Sequence, residues 1–397
     1  MPDLSGNLDI ALRRNGDRLA VSIRSSRPVT AARVFTDKLV PDVARQLPAL
    51  FSVCSTAQAQ ACAAACEQAL GLTPSLAIRQ RRALLLRAET VREHLWRLLL
   101  DWPQASGTTP AHAPMAQAMR AYLALRGAQT TDTDPFAPGA DSPLTAQASV
   151  PDQVQALAEV AAGHVFGLPP ARWLEQVGDR RAFADWMATA GTGTADLVGT
   201  IARPDLASVG RNAVAPLPVS ATPDLSAALA AALSGADADA FVAAPTWQGR
   251  TCETNPFARC SDRSLVADLA IEHGNGLLPR LAALLLELAD AIVALTDSPE
   301  AASQPGPAAS EADGVGIGCA EAARGLLMHR VEVADWRITS YRILAPTEWN
   351  FHPDGVVAAG LVGGNLARIA EDAELKRRAA LYVTAVDPCV AYSLSVC

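Results

Sequence analysis

The chain has 397 residues, of which 50% are hydrophobic and 19% are charged, so its composition allows a large buried core. The formal net charge of -8 argues against nucleic acid as a partner, because phosphate binding requires clustered Lys and Arg side chains. Eight cysteines in a chain of this length do not make the dense framework of a small disulfide-stabilised protein.

The sequence predicts a cytoplasmic protein that makes no contact with a membrane. The N-terminus, MPDLSGNLDI, lacks the basic and apolar regions of a secretory signal. The longest apolar run, residues 277–295, is interrupted by Arg280, Glu287 and Asp290. It therefore falls short of the roughly 18 uninterrupted apolar residues that a membrane-spanning helix needs.

Hydrophobic patterning predicts an α+β protein that is mainly helical, with small antiparallel β elements. Alternating apolar and polar residues on both sides of Asn15-Gly16 predict an N-terminal hairpin. Residues 326–346 predict two strands with a turn at Ala334-Asp335, whereas residues 202–225 are predicted to be irregular. Helical spacing occurs over residues 55–70, 75–100, 116–126, 151–163, 169–189, 225–234, 264–296 and 357–383.

We expect residues 1–397 to form a single domain, because no internal repeat divides the chain. Four regions can be distinguished within this domain. They are a β-hairpin region (1–36), a cysteine motif with a helical pair (50–102), a low-complexity linker or exposed loop (297–313), and a C-terminal β element, helix and cysteine motif (314–397).

Five sequence blocks, in a fixed order, carry a family resemblance. Cysteine-containing runs lie near both ends of the chain, FSVCSTAQAQACAAACEQALG at 51–71 and DPCVAYSLSVC at 387–397. Between them lie WQGRTCETNPFAR at 247–259, EAARGLLMH at 321–329 and LAPTEWN at 344–350. Together the blocks resemble the motifs of [NiFe]-hydrogenase large subunits, in which each end of the chain supplies a pair of metal-binding cysteines. The resemblance implies a large-subunit-like fold.

Departures from the family pattern decide the expected function. Phe51 stands where the family has the first cysteine of the N-terminal pair, and Tyr392 where it has the second cysteine of the C-terminal pair. Ser395 stands at the position of the family's closing histidine. Two thiols are too few for a bridged nickel–iron centre, and Phe51 supplies no ligand atom. Ser5 matches the family's proton-relaying glutamate and is a poor relay at neutral pH. The resemblance therefore implies a chain that binds no nickel and is not an enzyme.

The residues that the motifs retain suit a single iron. By the resemblance, Cys54 and Cys389 would bind a transient Fe(CN)2(CO) group, and no Fe–S cluster is expected. Arg324 would donate a charge-assisted hydrogen bond to a cyanide nitrogen, and Thr347, next to Pro346, a neutral one. These features resemble the HupK/HoxV group of maturation proteins, which implies a scaffold or carrier for the iron group.

Partners implied by that group are a small chaperone of the HypC type, the HypD scaffold and the apo-large subunit of a hydrogenase. The chain ends two residues after Ser395, without the extension that large subunits lose on maturation, so no proteolytic step is expected. Two rival functions stay open. One is a metal-free interaction protein or chaperone for hydrogenase assembly, and the other is an enzyme with a mononuclear iron centre.

Each candidate residue also has a purely structural interpretation. Cys54 and Cys389 could be small buried core residues, as free cysteines often are. Phe51 and Tyr392 would then simply fill the space of the lost ligands. Arg324 could pair with a nearby carboxylate, that of Glu321 or Asp387.

Cys62 and Cys66 share one helix face with Cys54 at a spacing of four residues. They could form a soft-metal or redox site, but core packing among so many alanines is the favoured interpretation. His94 and His329 are interpreted as hydrogen-bonded core or surface histidines rather than ligands. The remaining cysteines, none of which shows a zinc-like spacing, are Cys252, Cys260, Cys319 and the terminal Cys397.

Overall fold

The computed structural model describes residues 6–16, 18–131, 133–142, 150–218, 222–297, 313–363 and 366–397. Ser5 and nearly all of the predicted 297–313 linker lie outside the described residues. The predicted mainly helical α+β class is confirmed. One detail is corrected, since two of the strand pairs are parallel and not antiparallel.

The helices are α1 (Val40–Leu50), α2 (Ser55–Leu70), α3 (Leu76–Trp96), α4 (Trp102–Ser106), α5 (His112–Thr130), α6 (Pro151–Ala161), α7 (Pro170–Gln176), α8 (Arg180–Thr189), α9 (Gly193–Ile201), α10 (Pro223–Ser234), α11 (Ala238–Ala243), α12 (Pro256–Cys260), α13 (Ser264–His273), α14 (Leu277–Asp297), α15 (Pro346–Asn350), α16 (Val356–Val362) and α17 (Asp372–Val386). The strands are β1 (Asn7–Asn15), β2 (Arg18–Ser25), β3 (Ala215–Pro216), β4 (Cys252–Glu253), β5 (Val315–Ala322), β6 (Gly325–Ala334), β7 (Arg337–Leu344) and β8 (Ala391–Val396).

The first sheet brings the two ends of the chain together. β1 and β2 form the predicted hairpin, with Gly16 in the left-handed conformation that its turn requires. Leu8, Ile10 and Leu12 alternate inward from β1 and are buried in the main core. β8, which the sequence analysis did not predict, adds to β1 as a parallel third strand. The C-terminal residues are therefore held beside the N-terminal hairpin.

The second sheet has the order β5-β6-β7 and packs against α2. β6 and β7 are the predicted strands, and their turn is centred on Asp335 and Trp336, both with positive φ. β5 was not predicted. Its Gly316 and Gly318 lie against the backbone of α2, which is why this alanine-rich helix can approach the sheet so closely.

We expect Gly318→Ala to lower the free energy of unfolding by about 3 kcal/mol. A Cβ atom there would overlap the carbonyl oxygen of Ala61 and lie 2.6 Å from the amide nitrogen of Ala65, so α2 would have to move. Gly127→Ala in α5 is the matched control, because its Cβ would meet no neighbouring atom. Chemical denaturation of both variants checks the prediction, which fails if the two substitutions change stability equally.

Helix α14 is the centre of the larger helical core. It contacts α3, α6, α7, α12, α13 and α17, and all of its leucines are buried. Arg280 and Glu287, which interrupt its apolar sequence, are satisfied by ion pairs with Glu253 and Arg259. In the part of the chain that the structure describes, no helix combines the length and apolar character needed to cross a membrane.

Three predicted helices, 169–189, 264–296 and 357–383, are each two helices in the structure. The first is divided before Asp179, whose carboxylate accepts a hydrogen bond from the amide of Ala182 and so begins α8. Gly274, with a φ of 60°, ends α13. Gly363 ends α16, nine residues before α17 begins. Hydrophobic spacing continues across these breaks, which explains the error.

Candidate functional site

Cys54 lies immediately before the first turn of α2. The buried carboxylate of Glu89 on α3 accepts hydrogen bonds from the amides of Thr56 (2.8 Å) and Ala57 (3.0 Å). These amides have no partner within their own helix, and a carboxylate also suits the positive end of the helix dipole. Glu89 thereby fixes the start of α2 and, with it, the position of the Cys54 backbone.

Cys389 lies in the short segment between α17 and β8. Asp387, which ends α17, has a φ of 66°, and its carboxylate is 2.7 Å from Nε of Arg97 and 3.1 Å from Nε of Arg324. β8 then pairs with β1. Cys389 is thus held between a fixed helix end and a strand of the first sheet.

Cys54 and Cys389 line the same cavity, which encloses about 950 Å³ including space open to solvent. Polar groups in its wall are few, and apolar side chains supply most of the lining. The other lining residues are Arg27, Pro28, Val29, Ala31, Ala32, Leu50, Phe51, Val53, Gln58, Val242, Ala322, Arg324, Leu327, Ile343, Ala345, Pro346, Thr347, Glu348 and Val390. The five motif residues that the resemblance connects with the iron group therefore all line one cavity: Cys54, Arg324, Pro346, Thr347 and Cys389.

The sulfur of Cys389 has two polar partners. Arg27 donates a hydrogen bond to it from Nη1 at 3.0 Å, and the hydroxyl of Thr347 lies 2.8 Å away. Nε of Arg27 bonds the carboxylate of Glu348 at 2.9 Å, and Glu348 in turn accepts from the amide of Ala345. Burial alone would lower the pKa of Arg27, but the Cys389 sulfur and the Glu348 carboxylate raise it.

Arg27 was not identified in the sequence analysis. It follows the predicted hairpin in an unremarked Arg-Pro dipeptide, far in sequence from any motif. Only the pairing of β1 with β8 brings it next to Cys389. An arginine after a hairpin belongs to no functional motif, so the sequence alone did not single out Arg27.

The sulfur of Cys54 is in a more apolar setting. Its hydrogen-bond donor is Nε2 of Gln58, one helical turn further along α2, at the long distance of 3.9 Å. Burial, together with the charges of Cys389 and Glu89, raises the pKa of the Cys54 thiol to about 12. The neighbouring Arg324 guanidinium opposes this shift without cancelling it.

Arg324 lies between the two cysteines and two acidic side chains. Its guanidinium bonds Glu93 through Nη1 at 2.8 Å and Asp387 through Nε at 3.1 Å, and only 3% of the side chain is exposed. It does not pair with Glu321, which lies near Arg259 instead. The remaining nitrogen, Nη2, is buried without a hydrogen-bond partner. A buried unpaired donor of this kind is costly, which suits a ligand that would accept from it.

The lost ligand positions do not all face the cavity. Phe51 lines it, as expected for a residue that fills vacated ligand space. Tyr392 does not: its ring packs on the main core and its hydroxyl bonds Thr384 on α17. Ser395 is exposed on β8, paired in register with Ala11. The expectation that Tyr392 fills ligand space is therefore wrong, because β8 directs it toward α17.

Cys62 and Cys66 form a separate buried group next to His329 and Tyr341. The imidazole of His329 bonds the Tyr341 hydroxyl and Oε1 of Gln58, both at 2.9 Å. The hydrogen bond with Cys62 and burial raise the pKa of the Cys66 thiol. His329 and the second histidine considered, His94, are both buried and hydrogen-bonded, the latter to Glu287.

The other cysteines stand apart from the cavity. Cys252 and Cys260 are buried, Cys319 is half-buried on β5, and Cys397 is exposed. Over the described ranges of the chain, no group of three or more His, Cys, Asp or Glu side chains is arranged to hold a metal ion. The cavity therefore offers two thiols rather than a complete protein cage.

Comparison with solved structures defines the fold. The reduced, active form of the Ni-Fe-Se hydrogenase from Desulfomicrobium baculatum matches over 95% of both chains with a TM-score of 0.60 and 14% sequence identity. The family model of nickel-dependent hydrogenases matches residues 259–394. The fold is accordingly that of a [NiFe]-hydrogenase large subunit, as the sequence blocks implied.

The relatives found by sequence comparison define the family more closely than the fold does. The hydrogenase expression/formation protein HoxV of Cupriavidus necator is 32% identical, covering 94% of this chain and 92% of its own. The hydrogenase expression/formation protein HupK of Azotobacter vinelandii is 29% identical, covering 99% of both chains. The chain belongs to this HupK/HoxV family of hydrogenase expression/formation proteins.

Proposed function

We propose that the chain carries one iron with its cyanide and carbonyl ligands during assembly of a [NiFe]-hydrogenase large subunit, and that it is not itself an enzyme. The observation that carries the proposal is the cavity in which Cys54 and Cys389, from opposite ends of the chain, meet the guanidinium groups of Arg27 and Arg324. Cys54 and Cys389 would be the protein ligands of the iron.

The chemistry of the cargo fits the residues present. Two cyanides and one carbon monoxide already fill three positions on the iron, so two thiolates are enough to hold it. An iron(II) with two cyanides and two thiolates is a dianion, and it needs nearby donors if it is to be buried. The unpaired Nη2 of Arg324 can donate to a cyanide nitrogen. Apolar walls from Leu327 and Ile343 suit carbon monoxide, a weak hydrogen-bond acceptor.

Thr347 has a different role in this proposal from the one that the family resemblance implied. Its hydroxyl lies 2.8 Å from the Cys389 sulfur, so it supports the ligand and not a cyanide. Pro346 lines the cavity at the start of α15. The second cyanide would then take its hydrogen bond from Arg27, whose position beside Cys389 brings a guanidinium to that side of the cavity.

The partners follow from the cargo. A carrier must receive the iron group from the machinery that makes it and release it to the apo-large subunit, and a HypC-type chaperone and the HypD scaffold are the donors that the family suggests. Two sulfur ligands are easier to displace than four, so a small ligand set favours release. Such exchange of cysteine-bound iron fits the reducing cytoplasm that the sequence predicts.

Infrared spectroscopy after anaerobic co-expression with the hydrogenase maturation machinery tests the carrier. The wild-type chain should show cyanide and carbonyl stretching bands, and the double variant Cys54→Ala/Cys389→Ala should lose them. Cys319→Ala is the matched control, because this cysteine is equally half-buried but lies away from the cavity. Bands that persist in the double variant would contradict the proposed ligands.

Hydrogenase activity in cells separates the carrier from the metal-free alternative. A metal-free interaction protein predicts no bands in wild type and normal hydrogenase assembly with the double variant. The carrier predicts that assembly fails with the double variant and proceeds with Cys319→Ala. Hydrogen turnover by the purified chain would instead support an enzyme with a mononuclear iron centre.

A further inference from the structure

The two cysteine sulfurs in the cavity are held very differently. Cys389 contacts a guanidinium at 3.0 Å and a hydroxyl at 2.8 Å. Cys54 contacts one neutral amide, that of Gln58, at 3.9 Å. Hydrogen bonds from charged donors are about twice as strong as neutral ones, and they weaken steeply with distance. A negatively charged sulfur is therefore stabilised much more at Cys389 than at Cys54.

Arg27 is the residue that creates most of this difference. Its guanidinium cannot turn away freely, because Nε is bonded to Glu348 while Nη1 points at Cys389. Glu348 is itself held by the amide of Ala345 at the start of α15. Gly6 lies directly against the Arg27 backbone, with no room there for a Cβ. Arg27 is thus fixed at both its backbone and its guanidinium.

The chain beside Cys54 is more exposed than the chain beside Cys389, although both cysteines are themselves half-buried. The preceding residue, Val53, is 41% exposed, and Phe51 is half-buried on the same side of the cavity. Cys389, by contrast, follows the buried Pro388 and is held by Asp387, which two arginines bind, and by β8 in the first sheet. An incoming group from a partner protein would therefore reach the iron more easily beside Cys54.

We propose that Cys389, fixed by Arg27, is the ligand that keeps the iron on the chain, and that Cys54 is the ligand exchanged first during release. The inference rests on the proposed function. In the exchange step a thiol of the acceptor protein forms a bond to iron while the iron–Cys54 bond breaks. The proton of the incoming thiol passes to the leaving Cys54 sulfur, and no change of oxidation state is involved. In this exchange Arg27 acts through Cys389, in addition to the hydrogen bond proposed for a cyanide nitrogen.

Alkylation of the iron-free chain tests the unequal sulfurs without any cargo. With limiting iodoacetamide at pH 8, followed by peptide mass spectrometry, Cys389 should react about tenfold or more faster than Cys54, although the chain beside Cys54 is the more exposed. The reason is the hydrogen bond that Arg27 donates to the Cys389 sulfur at 3.0 Å, which Cys54 lacks. Arg27→Met should remove most of this difference, and Arg27→Lys only part of it. Arg24→Met is the control, because Arg24 is exposed on β2. Equal rates in the wild-type chain would overturn the inference.

Single cysteine variants of the loaded chain test the order of exchange. Cys54→Ala should keep weakened cyanide and carbonyl bands that fade within a desalting step, whereas Cys389→Ala should show none. The reverse pattern would overturn the inference while leaving the carrier in place. If the wild-type chain shows no bands but its alkylation rates are unequal, the proposed function fails and the difference between the sulfurs stands.

Discussion

Replacing Arg324 with methionine is expected to abolish the cyanide and carbonyl bands and to lower the free energy of unfolding by about 3 kcal/mol. The side chain is buried between Glu93 and Asp387, so its removal leaves two carboxylates with less compensation. Arg92 still pairs with Glu93, and Arg97 with Asp387. For that reason we expect a loss near the low end of the range for broken buried ion pairs.

The loss of cargo must be separated from the loss of stability. In the triple variant Arg324→Met/Glu93→Gln/Asp387→Asn the two carboxylates are neutral, so most of the stability should return. Asparagine tolerates the left-handed conformation of residue 387, where φ is 66°. If Nη2 of Arg324 donates to a cyanide, the triple variant should be stable and still lack the infrared bands. Chemical denaturation and infrared spectroscopy of the same preparation decide this.

An alternative result would change the assignment of Arg324. Full bands in the triple variant would mean that the arginine only balances Glu93 and Asp387. Arg324→Lys provides a further comparison. Lysine keeps the positive charge, but its single ammonium group cannot bond both carboxylates and a ligand in the cavity as the planar guanidinium does. We expect it to retain the fold better than methionine does and to shift the cyanide bands.

The helical part of the fold could be predicted because its signals are local. Alanine-rich spacing and the stop at Gly71 define α2, and the Asn15-Gly16 turn defines the first hairpin. Strand β5 was missed because it is short and rich in Gly and Ala, although its partner β6 directly follows it. Strand β8 was missed because its partner β1 lies at the other end of the chain. Pairing of this kind depends on tertiary contacts, which a pattern of period two in a short, small-residue segment does not reveal.

The site could be predicted only as far as its motifs extend. The motifs identified Cys54, Cys389 and Arg324 as candidate residues of a single iron site, and the structure places all three at one cavity. Arg27 lies outside every motif, and its role depends on the direction of its own side chain, which points toward Cys389. The orientation of Tyr392 depends on β8, since a residue's face in a strand is set by its register. Neither property can be obtained from residue type and spacing.

The second large effect is expected at the two positions where the family's cysteines are lost, Phe51 and Tyr392. Phe51→Cys is expected to raise the affinity of the iron-free chain for Cd²⁺ on the order of a hundredfold, and Tyr392→Cys to leave it unchanged. The cavity contains Phe51 but not Tyr392, so only the first substitution adds a thiol beside Cys54 and Cys389. Four ligands together contribute about 10–16 kcal/mol to a structural zinc site, so one more thiolate should matter greatly.

Ultraviolet absorbance of sulfur-to-cadmium charge transfer measures this affinity directly. Phe51→Ala is the control for loss of the aromatic ring, and it should bind Cd²⁺ as wild type does. The family pattern alone treats positions 51 and 392 alike and would predict equal gains from both cysteines. A gain at residue 392 comparable to that at residue 51 would therefore contradict the position of Tyr392 against α17.

The same variant tests why a carrier would lack the ligands of the enzyme. With three thiolates on the iron, Phe51→Cys should show stronger cyanide and carbonyl bands than wild type but should pass the iron on more slowly. Hydrogenase assembly in cells would then fall although the cargo is bound more tightly. Faster assembly with Phe51→Cys would mean that loading, and not release, limits the carrier, and that weak binding at this cavity serves no purpose in transfer.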